Sequence, residues 1–250
     1  MRIRIAAVTH RGLTRAHNED ALGWGGWALQ GAMPAPITTE LRVDRPTTLV
    51  VCDGLGGHAG GATASRLACE SLTAPATVAA SAGPEQTRAV IGALLQRISE
   101  TLDDLGEQRA DLRGMGCTVA GVTVHPDGSA LVFNVGDSRA YRLEGRYLAQ
   151  LSLDHRAARS NRLQQALGGG RRTLLDPAFF DCRLPSYPGM LLCTDGLDDY
   201  TKPEAIERLF AAGAADLPAQ LRDLAIAGGG GDNVTVLQVV ACDGEGDDDG

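Results

Sequence analysis

Four aspartates stand where apolar runs break into turns. They are Asp53 in Val50-Val51-Cys52-Asp53-Gly54-Leu55-Gly56-Gly57-His58, Asp137 in Asn134-Val135-Gly136-Asp137-Ser138-Arg139, Asp195 in Cys193-Thr194-Asp195-Gly196, and Asp232 in Gly231-Asp232-Asn233-Val234-Thr235. An acidic pair, Glu19-Asp20, follows an earlier turn at Asn18. Taken singly, each is an ordinary turn or capping residue. Gathered at one sheet edge they would require cations, because two carboxylates about 4 Å apart repel by roughly 4 kcal/mol at an effective dielectric of 20. Donor sets made only of oxygen select hard ions such as Mg²⁺ or Mn²⁺. The five histidines form neither H-E-x-x-H nor a paired-ligand spacing, which makes a zinc hydrolase a poor fit.

Two other chemistries fail on spacing. Gly54-Leu55-Gly56-Gly57-His58-Ala59 fits G-x-G-x-x-G/A loosely, but Asp53 would set negative charge beside the pyrophosphate that such a turn attracts, and no acid closes a second strand about 20 residues on. The six cysteines are scattered, without a C-x-x-C pair, and none has an arginine six positions later. They read as small buried hydrophobes, not as a disulfide framework, a zinc site or a phosphatase nucleophile.

The elements that must carry these residues are legible as short β-rich runs over 2–9, 21–29, 47–52, 116–124, 130–135, 138–143, 147–151, 190–193 and 233–240. Helical spacing marks 61–72, 84–105, 203–212 and 217–227, with an Ala/Ser/Pro-rich loop over 73–83. Mixed strands with helices grouped in pairs favour an α+β layered domain over an alternating βαβ fold. The chain of 250 residues, 44% apolar and 22% charged, has the composition of one globular domain. We expect that domain over 1–241 and an acidic disordered tail over 242–250. A net charge of −8 without a basic stripe removes the footprint of a nucleic-acid or membrane-surface binder. No run approaches the roughly 20 apolar residues of a membrane span, and the first residues lack a signal-peptide core, so a cytoplasmic protein is expected.

In order along the chain, Arg15-Ala16-His17-Asn18-Glu19-Asp20, Asp53-Gly54-Leu55-Gly56-Gly57-His58, Gly116-Cys117-Thr118, Asn134 to Arg139, Thr194-Asp195-Gly196-Leu197 and Gly231 to Thr235 resemble the bacterial PP2C-type (PPM) metal-dependent protein phosphatases. The resemblance runs from about residue 5 to 240. It implies a four-layer αββα sandwich, two antiparallel sheets flanked by helix pairs. It also implies hydrolysis of phosphoserine and phosphothreonine by direct attack of a metal-bridging hydroxide, with no phosphoenzyme. Two Mn²⁺ or Mg²⁺ ions, and a third held more weakly, are the implied cofactors. The implied substrates are phosphoproteins, with a bacterial Ser/Thr kinase as the opposing enzyme and a monomer as the working form.

Position by position, the resemblance makes Asp53 the carboxylate that bridges two ions and the Gly54 carbonyl a ligand of the second. Asp195 and Asp232 become ligands of the first ion, and Asp137 a ligand of the third. Glu19 and Asp20 orient bound waters, and Arg15 grips phosphate with its fork of donors. His58 is either the general acid for the leaving oxygen or a structural residue. Asn233 supports the loop around Asp232. Two departures stand out: the flap between Asp154-His155 and Gln165-Ala166-Leu167-Gly168 is truncated, and residues 23–46 are long, read as a hairpin extension in preference to a substrate-contacting loop. A non-catalytic phosphoprotein-binding regulator and a small-molecule phosphatase are the alternative readings.

Overall fold

The structure, a computed structural model, describes residues 1–55, 59–78, 83–157, 162–214 and 216–242. In chain order the first half comprises β1 (Arg2–His10), β2 (Ala21–Trp24), β3 (Trp27–Gln30), β4 (Ile37–Arg42), β5 (Thr47–Cys52), β6 (Gly54–Leu55), α1 (Ala59–Thr73) and α2 (Pro84–Gln108). The second half comprises β7 (Gly116–Cys117), β8 (Val119–Val124), β9 (Ser129–Val135), β10 (Arg139–Glu144), β11 (Tyr147–Gln150), β12 (Leu167–Gly168), β13 (Ala178–Arg183), β14 (Met190–Cys193), α3 (Asp195–Asp198), α4 (Pro203–Ala212), α5 (Leu217–Ala227) and β15 (Val234–Cys242).

These strands form two six-stranded antiparallel sheets, ordered β11-β10-β14-β15-β1-β4 and β13-β9-β8-β5-β2-β3, with a small third ladder β12-β7-β6. Side chains of a strand alternate between faces, and here both faces are buried, so the central strands are largely apolar. In β5, Leu49 and Val51 join Ile3, Ile5, Leu192, Leu237 and Val239 between the sheets, whereas Val50 and Cys52 meet the helices α1 and α2 through Ala64, Ala68, Leu95 and Ile98. In β14, Met190 and Leu192 point to the same inter-sheet core, whereas Leu191 and Cys193 meet Ile206, Phe210, Leu217 and Leu221 of α4 and α5. The layers are therefore helix, sheet, sheet, helix, as the motif resemblance implied.

The long stretch after β2 forms paired strands. Gly25 and Gly26, at φ 63° and 85°, make the tight turn of a hairpin that splits the expected single strand into β2 and β3. The chain then crosses to the other sheet as β4, paired with β1. Trp24 packs against the inter-sheet core, and its cross-strand partner Trp27 is 77% exposed. The last strand continues to Cys242, which pairs with Arg2, so this first residue of the tail expected over 242–250 is strand; the rest of that tail, 243–250, lies outside the described residues. At the short flap, Arg156 and Leu163 form an isolated antiparallel bridge, and residues 158–161 lie outside the described residues.

Candidate active site

β5 ends at Cys52, and the next residue, Asp53, leaves the sheet between the two layers. Its backbone N–H donates to Thr118 Oγ1 (3.2 Å), its carbonyl accepts from the Thr118 N–H (2.9 Å), and Thr118 Oγ1 is in turn paired with Ser138 Oγ (2.7 Å). These bonds leave the Asp53 carboxylate to face a cavity of about 220 Å³, lined also by Arg15, Glu19, Gly54, Leu55, Asp137, Leu163, Asp195, Asp232 and Asn233. Every site residue singled out from sequence is on that wall except two. Asp20 lies behind it, fully buried, and His58 lies outside the described residues.

A close crossing brings Glu19 in. A Cβ on Gly61 in α1 would meet Glu19 Oε2 well inside van der Waals contact and the Gly54 carbonyl carbon at 2.8 Å. Only glycine permits this approach. Asn233 then fastens the loop before Glu19: its Nδ2 donates to the carbonyls of Arg11 (2.9 Å) and His17 (3.0 Å), and its Oδ1 accepts from the Glu19 N–H (2.8 Å). The asparagine thus supports the loop over residues 11–19 as well as the turn at Asp232, whose Oδ1 accepts the Asn233 N–H (2.8 Å).

Asp20 Oδ2 accepts hydrogen bonds from Thr194 Oγ1 (2.8 Å) and Thr235 Oγ1 (2.7 Å), while Thr9 Oγ1 pairs with Thr235 Oγ1 (2.7 Å). The sequence reading gave these threonines no role; their only signal was their place beside Asp195 and Asp232. Among the described residues, Asp20 Oδ1 is buried without a hydrogen-bond partner. Burial raises the Asp20 carboxyl to about 6, and Asp195 rises to about 8 from burial and then from the charges of Asp137, Asp199 and Asp232. Asp53 is pushed well above the usual carboxylate range by burial first, then by Asp20, Asp195 and Asp232.

Two guanidinium groups enter this acidic field. Arg15 Nη2 donates to Asp232 Oδ2 at 2.7 Å, so the arginine expected to grip phosphate also holds a carboxylate. Arg156, which the sequence reading did not single out, donates from Nε to Asp137 and from Nη2 to Asp195 Oδ2 (2.6 Å). With carboxylates divided between these two arginines, no three His, Cys, Asp or Glu side chains among the described residues close into a ready coordination shell. The arrangement concentrates negative charge around a small polar opening and admits cations, or an anion carried with cations.

A family profile for protein phosphatase 2C matches residues 39–223. The chain is 29% identical over 254 aligned positions to the serine/threonine protein phosphatase PstP of Mycobacterium tuberculosis, covering 94% of this chain but only 44% of that protein's length. It is 28% identical to the serine/threonine phosphatase Stp of Listeria monocytogenes, covering 92% of this chain and 93% of the relative. The crystal structure of serine/threonine phosphatase Stp1 from Staphylococcus aureus superposes with a TM-score of 0.76 at 26% identity, over 96% of this chain and 95% of that one.

Proposed function

The chain belongs to the protein phosphatase 2C family, and from that premise we propose that it hydrolyses phosphoserine and phosphothreonine in proteins, using two Mn²⁺ or Mg²⁺ ions at the Asp53 cavity. The observation that carries the proposal is the meeting of Asp53, Asp195 and Asp232, remote in sequence, on one wall.

The donor set fits hard cations. Among the described residues Asp20 Oδ1 is buried and unpartnered, and Asp53 and Asp195 resist ionisation first because they are buried and then because carboxylates crowd them. In this reading Asp53, Asp195, Asp232 and the Gly54 carbonyl would hold the ions, and Glu19 and Asp20 would orient the bound waters. Bound there, such ions supply Lewis acidity and lower the pKa of water.

The protein's own groups do the positioning. Arg15 spends one N–H on Asp232 and has further donors in the same plane for phosphate oxygens, a geometry that suits a tetrahedral dianion. Asn233 and Gly61 keep Glu19 against the opening. His58 is our candidate donor of the proton that the departing seryl or threonyl oxygen takes up. At Asp137 the donor set does not suit a further ion, because a guanidinium already occupies Oδ2.

The opposing enzyme is then a Ser/Thr kinase and the setting cytoplasmic, with the protein acting as a monomer. No helix among the described residues is long and apolar enough to cross a membrane. Phosphate release from a phosphothreonine peptide and from a panel of sugar phosphates, with and without Mn²⁺, tests the substrate class. The expected result is Mn²⁺-dependent release from the peptide. Release from sugar phosphates alone would overturn it.

A further inference from the structure

Arg156 occupies a place for which a different charge was expected. Its three guanidinium nitrogens each meet a different carboxylate: Nε donates to Asp137 Oδ2, Nη2 to Asp195 Oδ2 at 2.6 Å, and Nη1 lies 3.5 Å from Asp199 Oδ1. Asp137 is 4% exposed at its side chain and Arg156 only 18%, so this is not a solvated surface pair. The motif resemblance assigns Asp137 to a third, weakly held divalent ion. One of the two Asp137 carboxylate oxygens, Oδ2, is already taken by an N–H.

The backbone of Arg156 is held in place by its neighbours. Asn134 Nδ2 donates to the Leu153 carbonyl (2.7 Å) and Asn134 Oδ1 accepts the Leu153 N–H (3.0 Å). Arg139 clasps Asp154 through Nε (3.0 Å to Oδ1) and Nη2 (2.6 Å to Oδ2). His155 donates its N–H to the Gly136 carbonyl (2.9 Å), and its Nδ1 accepts the Gly136 N–H (3.1 Å). Three consecutive residues are thus locked to the Asp137 turn, and the fourth delivers its guanidinium across it. The charge of arginine is permanent, and its planar fork spans two carboxylates, which an ammonium cannot do.

We propose that Arg156 is a built-in substitute for the third divalent ion: it bridges Asp137 to Asp195, one of the residues assigned to the ion pair, and restricts the protein to two ions. The inference rests on the two-ion reading above. The tether keeps this cation at a high local concentration, whereas a third free ion must be drawn from solution. Its contact with Asp195 takes one of that carboxylate's two oxygens, so Arg156 also orients an assigned ligand.

The test is Mn²⁺ stoichiometry of the full chain by equilibrium dialysis with metal analysis. The wild type is expected to hold about two equivalents and Arg156→Ala about three, the extra one weakly. Because Arg156→Ala leaves buried carboxylates unpaired and could unfold the protein, Asp137→Asn in the otherwise wild-type chain provides a second reading. It should leave the count at about two, since no ion depends on Asp137. A wild type that binds three equivalents, an Asp137→Asn chain that loses one, or a folded Arg156→Ala chain that stays at two would each overturn the proposal. A wild type that binds none would overturn it together with the reading on which it rests.

Discussion

Asp232 is gripped from two sides, by the Asn233 N–H on Oδ1 and by Arg15 on Oδ2, and the two grips have different consequences. The first belongs to a buried turn. The second is an ion pair whose arginine is 56% exposed at its side chain, and such pairs contribute at most about 1 kcal/mol to stability. Replacing Arg15 by alanine should therefore shift unfolding by under about 1 kcal/mol while lowering kcat/KM by about 10²–10³-fold, the usual loss for a transition-state donor. Arg15→Lys should recover only part of that, because an ammonium lacks the planar fork. Denaturant melts and peptide kinetics on the same preparations check both halves; an alanine variant within about twofold of wild-type kcat/KM would refute the role. At this scale the sequence was informative about acids and less so about what holds them. Asp53, Asp195 and Asp232 were legible because each stands beside a turn at one end of an apolar run. Arg156, Thr194 and Thr235 were not, since a hydrogen bond from a residue remote in the chain leaves no local pattern.

The central strands were legible for a related reason: they are mostly apolar, as strands buried on both faces tend to be. The edges were not. β13 and β4 each carry exposed residues on both faces, and each pairs along one side only, so their composition reads as loop. At the element scale the crossing of α1 over β6 is the most sensitive junction. Alanine normally stabilises a helix by up to about 1 kcal/mol over glycine. At Gly61 that gain should be lost, because the added methyl collides with Glu19 and with the Gly54 backbone. Gly60→Ala, whose methyl meets Met115 Cβ at 3.2 Å, is the control. Gly61→Ala should weaken Mn²⁺ binding and turnover about tenfold or more with little change in helix content, and Gly60→Ala should do so far less. Circular dichroism and metal titration compare them, and equal effects from the two would contradict the account.

Across the whole molecule, the sandwich is a device for bringing strand ends from both sheets to one opening, at a cost in charge repulsion. Asp20 and Asp195 titrate at about 6 and about 8, against 3.8 in the unfolded chain. Between those values the folded, metal-free protein binds more protons than the unfolded one. These groups therefore contribute stability that is complete below about pH 4 and is lost as pH rises toward 8. A divalent ion binds the ionised form, so its stabilising increment should grow over the same window. The gap in Tm between Mn²⁺ and EDTA samples should be wider at pH 8 than at pH 5.5; a gap that narrows would refute the crowding. The central claim is that carboxylates far apart in the chain hold the ions that cleave a phosphate ester. Phosphate release from a phosphothreonine peptide at saturating Mn²⁺, by the wild type and by Asp53→Ala, tests it most directly. The account predicts that EDTA silences the wild type and that the folded variant is at least about 10³-fold slower, whereas turnover within about tenfold of wild type would contradict it.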